Sequence, residues 1–153
     1  MTTYHKKLSK EIIQKWQLVL DDMAGKADIP CATITRVDYP EIEGFLTSNS
    51  AGNPAIAGDR SLITGTYCEE VIKTDREMLV PNALIDPKWD HNPDIEYRLI
   101  AYLGVPLRYA DGRPFGTICI LDTKENNFNK ESRQLITKYQ QEIESDLRSL
   151  DNQ

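Results

Sequence analysis

The sequence predicts an α+β domain in which helices flank a small antiparallel sheet. Three observations carry that expectation. Apolar residues recur at helical spacing over long stretches at both ends of the chain. The segments between them are short, β-branched and alternate with a period of two. One such segment is apolar on both faces, as a central strand covered from two sides would be.

Over about residues 3–26, Leu8, Ile12, Trp16, Val19, Leu20 and Met23 return every three or four positions and define one helix face. Lys6, Lys7, Lys10, Gln14, Lys15 and Asp21 occupy the other, and Gly25 and Pro30 end the helix. Residues 31–37 and 44–48 read as a strand pair interrupted at Tyr39-Pro40. Residues 49–60, rich in Ser, Asn, Gly, Ala and Pro, are either a mobile flap or a solvated connection. Thr66-Tyr67-Cys68-Glu69 has the spacing of a capping box and opens a short helix closing near Asp75.

Residues 78–80 form a brief strand stopped by Pro81. Residues 82–98 are irregular, with turns forced at Asp86-Pro87 and Asn92-Pro93. The strongest strands, 100–109 and 115–121, flank an Asp111-Gly112 turn. In the second, Gly116, Ile118 and Ile120 are expected on one face and Phe115, Thr117, Cys119 and Leu121 on the other. Asn129 caps a last helix running to about Leu150, with Leu135, Ile136, Tyr139, Ile143, Leu147 and Leu150 as its stripe. That stripe needs a partner: the first helix, a second copy of the chain, or both.

At 153 residues the chain is expected to be one domain over 1–153. Its parts would be an N-terminal helix (1–27), a sheet core with its covering helix and loops (29–123) and a C-terminal helix (129–150). Hydrophobic residues at 40% and charged residues at 27% are the balance of a soluble globular protein. With 24 acidic and 18 basic residues the net charge is −6, which argues against nucleic acid as a partner. The three cysteines, Cys31, Cys68 and Cys119, are far apart, and the only histidines are His5 and His91. No C-x-x-C or H-x-x-x-H spacing exists, so neither a disulfide framework nor a metal site is expected. Reduced thiols fit a cytoplasmic location, and neither a signal peptide nor a membrane span is read.

The familiar catalytic patterns are missing: no G-x-S-x-G, Walker A, G-x-G-x-x-G or H-E-x-x-H run occurs. Cys68 has two readings. In the first turn of a helix it would be a thiol activated by the macrodipole; otherwise it is a small apolar residue on the buried side. The second is favoured, because no His or other Cys lies near it in sequence. Cys119, inside a strand, reads as core. Trp89 either walls a concave site or plugs its own loop, and Arg98 and Arg108 are possible anion partners or simply exposed.

Seven short runs, taken together and in order, resemble the GAF domain family. They are Tyr67-Cys68-Glu69-Glu70-Val71-Ile72, Met78-Leu79-Val80-Pro81-Asn82-Ala83, Asp86-Pro87-Lys88-Trp89, Asn92-Pro93, Ile100-Ala101-Tyr102-Leu103-Gly104-Val105-Pro106-Leu107, Asp111-Gly112 and Gly116-Thr117-Ile118-Cys119-Ile120-Leu121-Asp122. The resemblance covers about residues 29–143, and is to GAF domains found beside bacterial diguanylate cyclases and sensor histidine kinases. It implies a central antiparallel sheet of about five to six strands, helices on both faces, and the terminal helices packed together on one side. It also implies a non-catalytic small-molecule sensor with a cavity under the Cys68 helix and the 82–98 segment. Tyr67, Cys68, Trp89, Tyr97, Arg98 and Tyr102 are the expected ligand-binding residues.

Sharper subtypes fit less well. Asn126-Asn127-Phe128-Asn129-Lys130-Glu131 only half resembles the cyclic-nucleotide signature, and Cys68 lacks the following His of bilin-attaching members. Free methionine sulfoxide reductases, GAF-like enzymes, carry a cysteine in the stretch corresponding to residues 96–103, where this chain has none.

The resulting expectation is a stand-alone sensor with no cofactor. It would bind an unknown small molecule, form a homodimer through its terminal helices and signal through them to a separate effector protein. Two alternatives are a thiol-dependent enzyme of the free methionine sulfoxide reductase type using Cys68, and a pure dimerisation module whose cavity is filled.

Overall fold

The computed structural model describes residues 5–150. The first helix, α1 (Lys10–Ala27), begins later than its periodicity suggests. The expected start near Thr3 lies outside the described residues, and residues 5–9 are non-helical. Ser9 gives the reason: its hydroxyl accepts the Ile12 N–H at 3.2 Å and caps the helix there. Asp28, in the left-handed conformation, closes the helix by donating its N–H to the Ala24 and Gly25 carbonyls.

Strands β1 (Cys31–Asp38) and β2 (Glu41–Thr47) form the expected hairpin. A third strand, β3 (Arg60–Leu62), stands where the sequence suggests only loop. It pairs with Glu41–Glu43 of β2, and Arg60 reaches the carboxylates of Asp38 and Glu41 across the hairpin. Then come α2 (Tyr67–Thr74), β4 (Met78–Val80), β5 (Ala101–Arg108), β6 (Pro114–Asp122) and α3 (Lys130–Ser149). The stretch 82–98 is less irregular than expected, holding two short 3-10 helices, Ala83–Ile85 and Pro93–Tyr97, each capped by an Asn side chain.

The six strands form one antiparallel sheet in the order β3-β2-β1-β6-β5-β4, with the long, almost fully buried strands β5 and β6 next to each other. β1 and β6 approach so closely at Gly116 that a Cβ there would stand 1.9 Å from the Thr35 carbonyl oxygen. One face of the sheet is covered by α1 and α3, whose buried Trp16, Leu20, Ile136, Ile143 and Leu147 pack on Ile34, Leu103, Ile118 and Ile120. Each such side chain contributes on the order of 1.5–3 kcal/mol through burial. The α3 stripe therefore has the sheet and α1 as its partner. The two helices are also tied by polar contacts: Trp16 Nε1 donates to Asp146 Oδ2 at 2.9 Å, and the Tyr139 hydroxyl donates to Asp22.

Strict alternation places Phe115 beside Thr117 and Cys119, on the opposite face. The structure puts it on the α1–α3 side, edge-on to Trp16 at 5.6 Å. A β-bulge is responsible: Gly116 pairs with Leu107 and Pro114 with Arg108, so Phe115 is the extra residue and turns over.

Candidate functional site

The α2 side of the sheet carries the site. In the β1–β6 register, Thr35 stands opposite Thr117, Thr33 opposite Cys119 and Cys31 opposite Leu121. The pleat turns these residues toward α2, while Ala32, Ile34, Ile118 and Ile120 face the terminal helices. Small hydroxyl and thiol side chains leave the layer beneath α2 unfilled. A cavity of about 120 Å³ remains there, floored by Cys31, Thr33, Thr35 and Cys119. Thr66 and Cys68 of the α2 terminus, Asp94, Leu99 and Tyr102 form its inner wall, and exposed Ile56, Arg60, Ser61 and Tyr97 line its mouth. The 49–60 stretch thus serves as a wall, fastened to β2 by Gly44 N–H to the Asp59 carbonyl and Gly58 N–H to the Gly44 carbonyl, both at 2.8 Å.

All three cysteines line this cavity: Cys119 is buried, as a core residue would be, and Cys68 meets thiols that are distant from it in sequence. Cys68 Sγ lies 3.2 Å from Thr117 Oγ1 and 3.7 Å from the Tyr102 hydroxyl. Cys119 donates its thiol hydrogen to the Thr33 carbonyl at 3.5 Å, and its sulfur stands beside that of Cys68. The neighbouring Cys119 side chain holds the Cys68 thiol below its ordinary range against the opposing effect of burial. Cys119 is pushed well up, because the neighbouring Cys68 side chain and burial both oppose its ionisation. Cys31, bonded to Thr33 Oγ1 at 3.2 Å, is raised by burial. Among the described residues no three His, Cys, Asp or Glu side chains converge closely enough to hold a metal ion.

Asp94 is the acidic group of the inner wall. Its Oδ2 accepts the Tyr67 N–H at 3.4 Å, at the start of α2, and burial lifts the carboxyl to about 6. Arg60, at the mouth, is already engaged by Asp38, Glu41 and Glu43.

Of the six residues expected to bind ligand, Cys68, Tyr97 and Tyr102 line the cavity. Tyr67 stands behind it, stacked on Tyr102 at 4.7 Å and donating its hydroxyl to the Leu99 carbonyl at 3.0 Å. Trp89 is buried against Tyr67, at 5.3 Å, as a plug beneath its own loop. Arg98 is exposed and ends the second 3-10 helix in the left-handed conformation. Arg108 is held by Asp75 at 2.6 Å, away from the lining. The histidines are elsewhere: His5 bonds Tyr109 and Val37 on the α1–α3 side, and His91 is exposed.

Tyr102 reaches the cavity because its neighbour on the same strand face has no side chain. A Cβ on Gly104 would stand 2.1 Å from the Tyr102 hydroxyl, so the ring lies across the glycine. Sequence reading missed Cys31, Thr33, Thr35, Asp94 and Cys119. A signal existed: Thr and Cys alternate with Ala and Ile in β1 and with Ile in β6, marking one face of each as poor core.

Similar solved structures include the GAF domain of a phosphoenolpyruvate-protein phosphotransferase from Coxiella burnetii, at 14% identity and TM-score 0.75, covering 94% of this chain and 86% of that one. Another is the type II free methionine-R-sulfoxide reductase of Thermoplasma acidophilum, at 13% identity and TM-score 0.68, covering 92% and 95%. A third is the blue-light-absorbing form of a Thermosynechococcus elongatus GAF domain, at 12% identity and TM-score 0.67, covering 95% and 94%. At such identities the likeness shows the fold alone. No curated protein is a match. The GAF domain model matches residues 14–145, from within α1 to within α3, and the chain therefore belongs to the GAF domain family.

Proposed function

We propose that this chain is a non-catalytic sensor module that binds a small molecule between α2 and the sheet and relays its occupancy through α1 and α3. The cavity is the observation that carries the reading: about 120 Å³ of space, lined by apolar groups together with hydroxyls, thiols, Asp59 and Asp94. That space also argues against a module whose cavity is filled. A path for the relay is supported by β6, where Thr117 and Cys119 face the cavity while Ile118 and Ile120 touch the layer of α1 and α3. The ligand must bind two helix arrangements unequally, since equal affinity shifts nothing. Signalling through the helices to a second copy or a separate effector belongs to the same proposal.

Thermal-shift screening of metabolites tests it. A binder should raise the melting temperature of the wild type, and Ala55→Phe, which fills the cavity, should abolish the shift while remaining folded. A shift that persists in the filled variant would place binding elsewhere.

A thiol-dependent enzyme is the second reading, favoured by the meeting of Cys68 with Cys119. Consumption of free methionine sulfoxide with a thiol reductant, lost in Cys68→Ser, would support it. No turnover is expected under the sensor reading.

A further inference from the structure

The Cys68 sulfur lies between the Thr117 hydroxyl and the Tyr102 hydroxyl. Thr117 is two residues from Cys119 on the same face of β6. The Tyr102 ring lies over Gly104, which is paired directly with Cys119. Cys68 on α2 and Cys119 on the central strand are thereby held side by side, and both line a cavity with an exposed mouth. Nothing in ligand sensing requires two adjacent thiols there. We propose that Cys68 and Cys119 form a peroxide-responsive dithiol, in which a hydroperoxide entering the cavity drives a reversible disulfide between α2 and β6.

Cys68 is the attacking sulfur. It occupies the first turn of α2, where the helix dipole favours the thiolate, and the adjacent Cys119 side chain favours the same form. The Cys68 thiolate attacks one peroxide oxygen and the O–O bond breaks. Cys68 becomes a sulfenic acid, and the leaving alkoxide takes up the proton released from the thiol to depart as an alcohol, or as water when the oxidant is hydrogen peroxide. Cys119 sulfur then displaces the hydroxyl of the sulfenic acid, forming the S–S bond and releasing water with the Cys119 proton. The two thiols lose two electrons, which reduce the peroxide. Two external thiol groups return them by successive exchange and are oxidised to a disulfide. Cys31 stands apart from the step: its thiol is bonded to Thr33 and Thr47, opposite Leu121. The bridge would fasten α2 to the floor of the cavity and remove both thiols from its lining, so oxidation and ligand binding act on the same space.

Peptide mapping of the reduced full chain, treated with hydrogen peroxide and then alkylated, tests this directly. Trypsin releases Cys68 in residues 61–73, Cys119 in 109–124 and Cys31 in 27–36. The expected product links 61–73 to 109–124 within one chain, forms at least about tenfold faster than Cys31 is oxidised, and reverts with dithiothreitol. Cys119→Ser should stop at a dimedone-reactive sulfenic acid on Cys68. The wild-type map decides the matter even if that variant does not fold. Free Cys68 and Cys119 after treatment, a bridge to Cys31, or only intermolecular bridges would overturn the proposal. The sensor reading is scored separately, by ligand-induced stabilisation of the reduced protein.

Discussion

The Asp94 carboxyl gives the site a pH dependence whose sign is fixed by burial. Its folded-state value of about 6 lies above the ordinary 3.8, so the folded protein keeps this proton after the unfolded chain has released it. The penalty is absent below about pH 4 and complete above about pH 6, costing about 1–3 kcal/mol as pH rises through that window. Urea midpoints at pH 4.5 and pH 7.5 should show this slope. Asp94→Asn should flatten it and stabilise the protein at the higher pH. A ligand that carries an ammonium group would need the ionised Asp94 and should lose affinity in the same variant. Gly104 is a second residue-scale test. Gly104→Ala drives a methyl into the Tyr102 ring and should cost about 1–3 kcal/mol, measured by chemical denaturation. The cost should shrink in a Tyr102→Ala background, because the clash is between those two side chains. Neither effect is readable in the sequence, where Tyr102-Leu103-Gly104 resembles any strand segment.

At the scale of elements, α2 was the most legible. Thr66 caps it as the Thr-x-x-Glu spacing predicts, its hydroxyl accepting Glu69 N–H at 3.2 Å. The reciprocal half differs: the Glu69 carboxylate accepts from Gly65 N–H at 3.0 Å, one residue further upstream. Thr66→Ala should cost about 1 kcal/mol and loosen the helix that presents Cys68, seen as faster amide exchange in α2. The terminal helices were legible as stripes, and the family resemblance implied that they pack together on one side, as they do. A polar contact also joins them, and Trp16→Phe would leave the Asp146 carboxylate with Lys15 alone of its two partners. A loss of about 1–3 kcal/mol is expected by denaturation, with the sheet unchanged by circular dichroism. The edge strand β3 was illegible, because three exposed residues in a polar stretch carry no alternating pattern; it exists through pairing with β2.

For the whole molecule, the apolar stripes of α1 and α3 are consumed within the chain, leaving Leu18, 69% exposed, as the large apolar side chain on the outer face of α1. The homodimer proposed with the sensor function must therefore use outer helix faces. Sedimentation equilibrium of the full chain should give a dimer that Leu18→Glu weakens; a monomer at all concentrations would remove that part of the proposal. No helix among the described residues is long and apolar enough to cross a membrane.

Local chemistry was enough to determine the α+β class, the strands β1, β5 and β6, the capped helices, and the order of short motifs that resembles a GAF domain. These depend on periodicity, caps and turns, which act over a few residues and are written in consecutive letters. The three cysteines were visible as letters, yet their meaning was not. Cys31, Cys68 and Cys119 meet at one cavity because β1 and β6 pair in one particular register and α2 settles across them. The bulge that turns Phe115 over, the glycine beneath Tyr102 and the burial of Asp94 likewise arise from contacts between distant segments. Only the packed structure decides them, since register and burial are properties of pairs of elements, and no single stretch of sequence specifies its partner.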